Sequence, residues 1–403
     1  MRLPFVALLA LSLAACGDLE LASLDASVPT DAVTPRAVDA TPFDAGPPPA
    51  DLEGFVDWQM RAGGIRGLAA AITTREGTAL TMLRGEASEG VPVAEDTLFV
   101  LASISKTFTG ILVVQLVEDG LLDLDAPLDE YLPYAVRNPA FPDVPVTARM
   151  LLTHTSGLRD QLTVLGMAST AGTDPDVALS DFSRDYVGVP DHWDARPGAQ
   201  YQYCNAGFAV LGALVEAITE QDFRARSDAR LLDPLGLDGS GWFLADVDVS
   251  MIATPYSWSE RRGFTALQHG GYAFYPAASM RASIVHMARY ARAVSRGLEL
   301  DGVRVLREAL ATEMRRVPFP EIAGDRSLAW EIETIRGRAY MHHSGATNGG
   351  ATLLYVGDDG VSIIVLTNSD AYIRSRFGLR EGADALREIV LRLDSEADAL
   401  VRE

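Results

Sequence analysis

Lysine is almost missing from this 403-residue chain. Lysine and arginine together number 34, and only position 106 is lysine, so 34 − 1 leaves 33 arginines. A GC-rich coding bias explains arginine wherever only charge is needed. It does not explain Lys106, because arginine cannot give up its proton in a protein and lysine can. Chance survival is the competing explanation. Against it, Lys106 stands three residues after Ser103 in Leu101-Ala102-Ser103-Ile104-Ser105-Lys106-Thr107, at the head of an apolar stretch. A lysine that must stay lysine there meets the requirement for a general base beside a nucleophilic serine.

Other scarcities narrow the function. Six histidines without a His-x-x-x-His or similar pairing argue against zinc, and no metal or organic cofactor is expected. No Gly-x-Ser-x-Gly is present, which argues against an α/β-hydrolase. A net charge of −21 with no basic stretch excludes nucleic acid as a partner. Cysteine occurs only at positions 16 and 204. If Cys16 carries lipid, no intrachain disulfide can form even in an oxidising compartment. There is no internal repeat.

The N-terminal apolar run, Leu3 to Leu13 after Arg2, is too short for a stable membrane span and reads as an export signal. It ends in Leu13-Ala14-Ala15-Cys16, which resembles a bacterial lipobox, so residues 1–15 are expected to be cleaved and Cys16 acylated. An ordinary cleaved signal with a chance cysteine is the alternative. Residues 16–50 are rich in Ala, Asp, Pro and Thr, the composition of a disordered linker. Such a chain spans on the order of 30 Å and can hold a domain clear of a lipid surface. Between Gly17 and Glu53, eight acids oppose one base, Arg36, so part of the negative charge serves to solvate this tether. The expected product is an exported bacterial lipoprotein of the cell envelope, membrane-bound by its lipid alone; its oligomeric state is left open, with a monomer favoured.

Residues 51–403 read as one globular domain. A short helix around Phe55, Val56, Trp58 and Met60 stops at Gly63-Gly64. Gly67 to Thr74 and Thr78 to Gly85 form a hairpin around Glu76-Gly77. Ser103 is expected to start a helix that ends near Gly120. Residues 121–260 carry helical patterns and long loops. Leu328 to Ile335, Ala351 to Val356 and Val361 to Asn368 read as strands, the last two flanking the turn Asp358-Asp359-Gly360, and Leu379 to Val401 closes the chain as an amphipathic helix. The expected class is α+β: an antiparallel sheet flanked by N- and C-terminal helices, with an inserted, mostly helical region.

Three clusters carry chemistry. Ser103 and Lys106 lie one helical turn apart and can meet on one face. An unperturbed lysine pKa near ~10.4 makes a poor base, so the site must depress it by burial or nearby positive charge. Tyr203-Cys204-Asn205 can put a phenol and an amide on one loop, the phenol to shuttle a proton and the amide to hold a substrate carbonyl or orient the lysine. His342-His343-Ser344-Gly345-Ala346-Thr347-Asn348-Gly349-Gly350 leads into a strand and offers a backbone N–H for an oxyanion hole. His269-Gly270-Gly271 is a rival with the same His-x-Gly spelling, and His343 is preferred because a strand follows it directly.

Ser103-x-x-Lys106, Tyr203-x-Asn205 and His343-x-Gly345, in this order and spacing, resemble the serine β-lactamase and penicillin-binding-protein superfamily, in its class C-like branch of β-lactamases, D-peptidases and esterases. Asp96-Thr97-Leu98-Phe99, Leu151 to Leu158, Asp233-Pro234-Leu235-Gly236-Leu237 and Leu366-Thr367-Asn368-Ser369 extend the resemblance over about residues 52 to 395. It implies that Ser103 attacks an ester or amide carbonyl, with Lys106 and Tyr203 taking its proton. The N–H groups of Ser103 and Ala346 would hold the oxyanion, and Asn205, His343, Ser344 and Gly345 would contact a small-molecule or peptide-like substrate. Many relatives have lysine where His343 stands, to attract a substrate carboxylate. A histidine is mostly neutral at pH 7, which moves weight towards neutral esters and amides. Cys204 replaces the usual serine and is expected to be packed, and His154 is expected to be structural. The leading expectation is an esterase or D-amino-acid-type peptidase. The alternatives are a class C-like β-lactamase and, from another class, a catalytically silent ligand-binding or sensor lipoprotein.

Overall fold

The computed structural model describes residues 46–371 and 382–401. The signal, Cys16, most of the linker and the first residues of the expected last helix lie outside the described residues. Helix α1 (Leu52–Gly63) begins where the Asp51 carboxylate accepts the Gly54 N–H at 2.7 Å and ends at Gly64 in the left-handed conformation. Strands β1 (Gly67–Thr73), β2 (Thr78–Ser88) and β3 (Val91–Pro92) follow. Helix α2 (Ser105–Glu118), an inserted block containing α3 (Asn205–Thr219), and α4 (Ile284–Ser295) come next. Then come β4 (Arg326–Ser327), β5 (Trp330–Ile335), β6 (Arg338–Thr347), β7 (Gly350–Gly357) and β8 (Ser362–Thr367). Helix α5 (Gly382–Leu400) closes the chain. The sheet runs β4-β5-β6-β7-β8-β1-β2-β3, antiparallel throughout.

The sheet separates two cores. Side chains alternate between faces along a strand. Thus Ala69, Ala71, Ile364 and Leu366 face α2, α3 and α4, while Leu68, Ala70, Ile72, Ile363 and Val365 face α1 and α5. Both faces are covered, so the central strands read as unbroken apolar runs rather than as alternation. Helix α2 is buried all round from Ser105 to Leu116 and forms the axis of the larger core.

Two expectations need correction. Ser103 does not start the α-helix. It sits in a single 3-10 turn, Ala102–Ile104, and α2 begins two residues later. The His343 stretch does not lead into a strand but is itself one, β6, and β7 is the strand that follows. Its His-His-Ser-Gly spelling is a weak strand signal. The turn before it, Arg336-Gly337, takes left-handed φ of 49° and 92°, which arginine seldom adopts and so does not advertise.

Candidate active site

Three hydrogen bonds, two to Met280 and one to Thr352, pin the turn that carries Ser103. Leu101 N–H donates to Met280 O at 2.8 Å, Thr352 Oγ1 donates to Leu101 O at 2.8 Å, and Met280 N–H donates to Ser105 Oγ at 3.0 Å. Ala102 is held at φ 49°, in the left-handed region that costs a non-glycine residue energy, so the surrounding contacts over-determine the serine's position. Strand β6 lies directly against this turn. A Cβ on Gly345 would stand 2.2 Å from Leu101 O and 2.3 Å from Thr352 Oγ1, so only glycine permits the approach.

Lys106 lies on the first turn of α2 and is fully buried. Its Nζ donates to Ser103 Oγ at 3.1 Å, to Asn205 Oδ1 at 2.7 Å and to Ala277 O at 2.8 Å. Burial pushes its pKa down to about 7, and the charge of Asp160 is the main influence resisting the fall. The sequence asks for a depressed lysine, and desolvation supplies it without a neighbouring cation.

Tyr203 stands at the end of the loop entering α3, and its hydroxyl donates to Ser103 Oγ at 2.8 Å. Burial raises its pKa well above the ordinary value, so the phenol keeps its proton. His154 packs its ring 4.3 Å from the Tyr203 ring, and its Nδ1 accepts the Cys204 N–H at 3.1 Å. That bond leaves the ring proton on Nε2, and burial keeps the imidazole neutral. His154 is therefore a platform under the tyrosine. Cys204 is buried, and its thiol pKa is driven well above its ordinary value by desolvation and by Asp160. It is packed and not nucleophilic.

Asn205 is buried under the lysine. Its amide lies between Lys106 and Asp160, which accepts from Asn205 Nδ2 at 2.6 Å. The sequence motifs miss Asp160. It sits two residues after Leu158, and nothing in its neighbours' spelling marks it. Only the fold brings it to the start of α3.

His343 is buried on the face of β6 that meets the Ser103 turn. Its Nδ1 lies 2.8 Å from Ser344 O, which fixes the proton of the neutral ring on Nδ1 and leaves Nε2 with the lone pair. Burial lowers its pKa to about 4, against the pull of Glu331. Ser344 and Ala346 alternate with His343 and Gly345, so their side chains point to the other face. What they can offer Ser103 is backbone. Strand β5 pairs with β6 only up to Glu331↔His342. Beyond that point, among the described residues, the β6 edge from His343 to Thr347 carries no strand opposite β7. The rival His269 motif belongs to a separate two-stranded piece, Gly270–Tyr272 paired with Ser169–Ala171. That piece touches the end of β6 where the Tyr272 hydroxyl lies 2.6 Å from Thr347 Oγ1.

A serine hydroxyl bonded to both a desolvated lysine and a phenol, beside a free strand edge, is the constellation of an enzyme that forms a covalent serine adduct. The family model described as Beta-lactamase matches residues 52–387, and the chain belongs to that family. It is 36% identical over 238 residues to esterase EstB from Burkholderia gladioli, covering 56% of this chain and 59% of the esterase. It is also 36% identical over 152 residues to penicillin-binding protein 4 from Amycolatopsis lactamdurans, covering 38% of each chain. These matches span less than two thirds of either relative. Among solved structures, the fold resembles D-amino acid amidase from Ochrobactrum anthropi SV3, with a TM-score of 0.65 at 21% identity, covering 86% of this chain and 100% of that one. A penicillin binding protein from Bacillus halodurans superposes with a TM-score of 0.64 at 23% identity, covering 80% of this chain and 98% of that one.

Proposed function

We propose that this protein, a serine hydrolase of the beta-lactamase family, cleaves neutral ester or amide bonds through an acyl-enzyme on Ser103, as an esterase or D-amino-acid-type amidase. The observation that carries the reading is Lys106 Nζ, fully buried, 3.1 Å from Ser103 Oγ and lowered to a pKa of about 7. Of the two groups bonded to Ser103, only the lysine can reach its proton-accepting form near pH 7, because burial keeps Tyr203 a protonated phenol. Lys106 is then the base that takes the Ser103 proton, and Tyr203 relays a proton to the leaving group. The N–H groups of Ser103 and Ala346 would receive the carbonyl oxygen as it gains charge. In deacylation the same relay would activate water. Neutral His343 places no fixed charge beside the free edge of β6, which favours uncharged substrates over carboxylate-bearing β-lactams.

Exposure to a fluorophosphonate is expected to give a single adduct at Ser103 by mass spectrometry, and none in Ser103→Ala. Short-chain p-nitrophenyl esters should turn over faster than cephalosporins at pH 7. An adduct on Ser105 or Ser344, or efficient cephalosporin hydrolysis, would overturn the corresponding part of the reading.

We also propose that the domain is tethered to a bacterial membrane through lipid on Cys16. The lipobox-like Leu13-Ala14-Ala15-Cys16 and the acidic, proline-containing stretch after it support this. Among the described residues no helix is long and apolar enough to cross a membrane. Extraction should need detergent, and Cys16→Ser should release the protein. A native protein that is soluble without detergent contradicts the tether.

A further inference from the structure

Asp160 belongs to none of the motifs, yet it bonds the lysine's partner Asn205 twice and the residue after it once. Its Oδ1 accepts the backbone N–H of Asn205 at 2.7 Å and of Ala206 at 3.2 Å, at the positive end of α3. Its Oδ2 accepts from Asn205 Nδ2 at 2.6 Å. Burial raises the proton affinity of Asp160, while the three donated N–H bonds and the charge of Lys106 oppose that rise. Both Asp160 oxygens accept N–H bonds in the structure, Oδ1 from two backbone groups and Oδ2 from the amide. The Asn205 amide must therefore turn its NH2 towards Asp160, and its carbonyl oxygen is left facing Lys106.

That orientation matters most when the lysine is neutral. A charged Nζ has three N–H donors and three acceptors around it: Ser103 Oγ, Asn205 Oδ1 and Ala277 O. A neutral Nζ has two donors and one lone pair. Asn205 Oδ1 and Ala277 O can only accept, so they take both N–H groups. The lone pair is left for the one partner that can donate, the Ser103 hydroxyl. A flipped amide would present an N–H to Nζ and occupy that lone pair.

We propose that Asp160 is a positioning residue that locks the Asn205 amide with its oxygen on Lys106 and so aims the lysine lone pair at Ser103. This rests on the assignment of Lys106 as the base. The titratable groups that face the lysine are Tyr203, Asp160, Cys204, His154 and His343. Of these, Asp160 alone bonds the amide side chain.

Asp160→Asn separates orientation from shape. Its Oδ1 would still accept the two backbone N–H groups, but its NH2 would then face the Asn205 side chain and force the flip. The rate of p-nitrophenyl acetate hydrolysis and the rate of fluorophosphonate labelling should both fall by about 10²-fold, the lower end for loss of a general base. Exchanging the pair, Asp160→Asn with Asn205→Asp, restores an acceptor on the lysine without changing net charge. This double variant should regain at least about ten-fold over Asp160→Asn. Its acid limb should lie at higher pH than the parent's, because a carboxylate now bonds Nζ directly.

Circular dichroism and thermal melts accompany each variant. A folded Asp160→Asn with parental rates overturns the proposal, and so does a folded double variant that stays slow or keeps the parental acid limb. If Asp160→Asn does not fold, the double variant decides alone by the same two readouts. Failure of both to fold reduces Asp160 to a structural cap and also overturns it. Absence of parental labelling at Ser103 would instead sink the functional reading. Parental labelling with an indifferent Asp160→Asn sinks only this inference.

Discussion

Lys106→Arg should lose about 10²–10⁴ of the acylation rate while keeping the fold, since that is the range for removing general-base catalysis. Arginine serves at every other basic position except this one. The lysine is fully buried, its three donors are matched by three acceptors, and its pKa lies at about 7. A guanidinium in the same place stays protonated at any working pH. The parental acylation rate should rise with pH through an acid limb near the lysine's pKa of about 7, because the neutral amine is the active form. The arginine variant should lack that limb. The measurement is pre-steady-state acylation by p-nitrophenyl acetate across about pH 5 to 9, the range that brackets the depressed lysine. A well-folded Lys106→Arg with near-parental acylation would remove Lys106 as the base. The same depression has a thermodynamic side. Between about pH 7 and 10.5 the unfolded chain holds the lysine proton and the folded state does not, so the lysine's contribution to stability increases with pH over that window.

Gly345→Ala should damage both stability and rate. The new Cβ would meet Leu101 O at 2.2 Å and Thr352 Oγ1 at 2.3 Å, and Ala102 Cβ at 3.2 Å. The first of these is backbone, held by the Thr352 hydroxyl, and cannot rotate away. Overpacking of this kind costs about 1–3 kcal/mol. The yielding element would be the Ser103 turn, and a shift of about 1 Å there can cost about 10²-fold in rate. Gly77→Ala is the control, because a Cβ at Gly77 meets nothing within 4 Å. Denaturant melts and ester kinetics on the two variants give the comparison. A Gly345→Ala enzyme as stable and as active as Gly77→Ala would show that β6 does not brace the serine.

What the sequence made legible follows from how each residue announces itself. Ser103, Lys106, Tyr203 and Asn205 are short-range motifs, and the structure gathers all four within hydrogen-bonding distance. The apolar strands β1, β7 and β8 were readable because both their faces are buried. Strand β6 was not, because its composition serves the site rather than the sheet. Asp160 was not, because its role depends on a carboxylate meeting the start of α3 from 45 positions away. The placement of Ser103 in a 3-10 turn was also hidden. Apolar spacing marks a helical region but not the residue at which its hydrogen bonding becomes regular.

The pairing of β1 with β8 fixes the order in which a nascent chain can fold. Gly67 N–H is held by Asn368 Oδ1 at 2.8 Å across 301 positions, and the same side chain donates to Glu86 O and Ala87 O at 3.0 Å each. The first hairpin therefore emerges with one long edge exposed and waits for almost the entire polypeptide before its central neighbour is made. Contacts of such separation slow folding, because loop closure must precede any gain. A ribosome-bound or truncated chain ending before Ser362 would leave β1 unpaired on that side and both cores open. The last strand of this sheet to be synthesised is the one that locks the first.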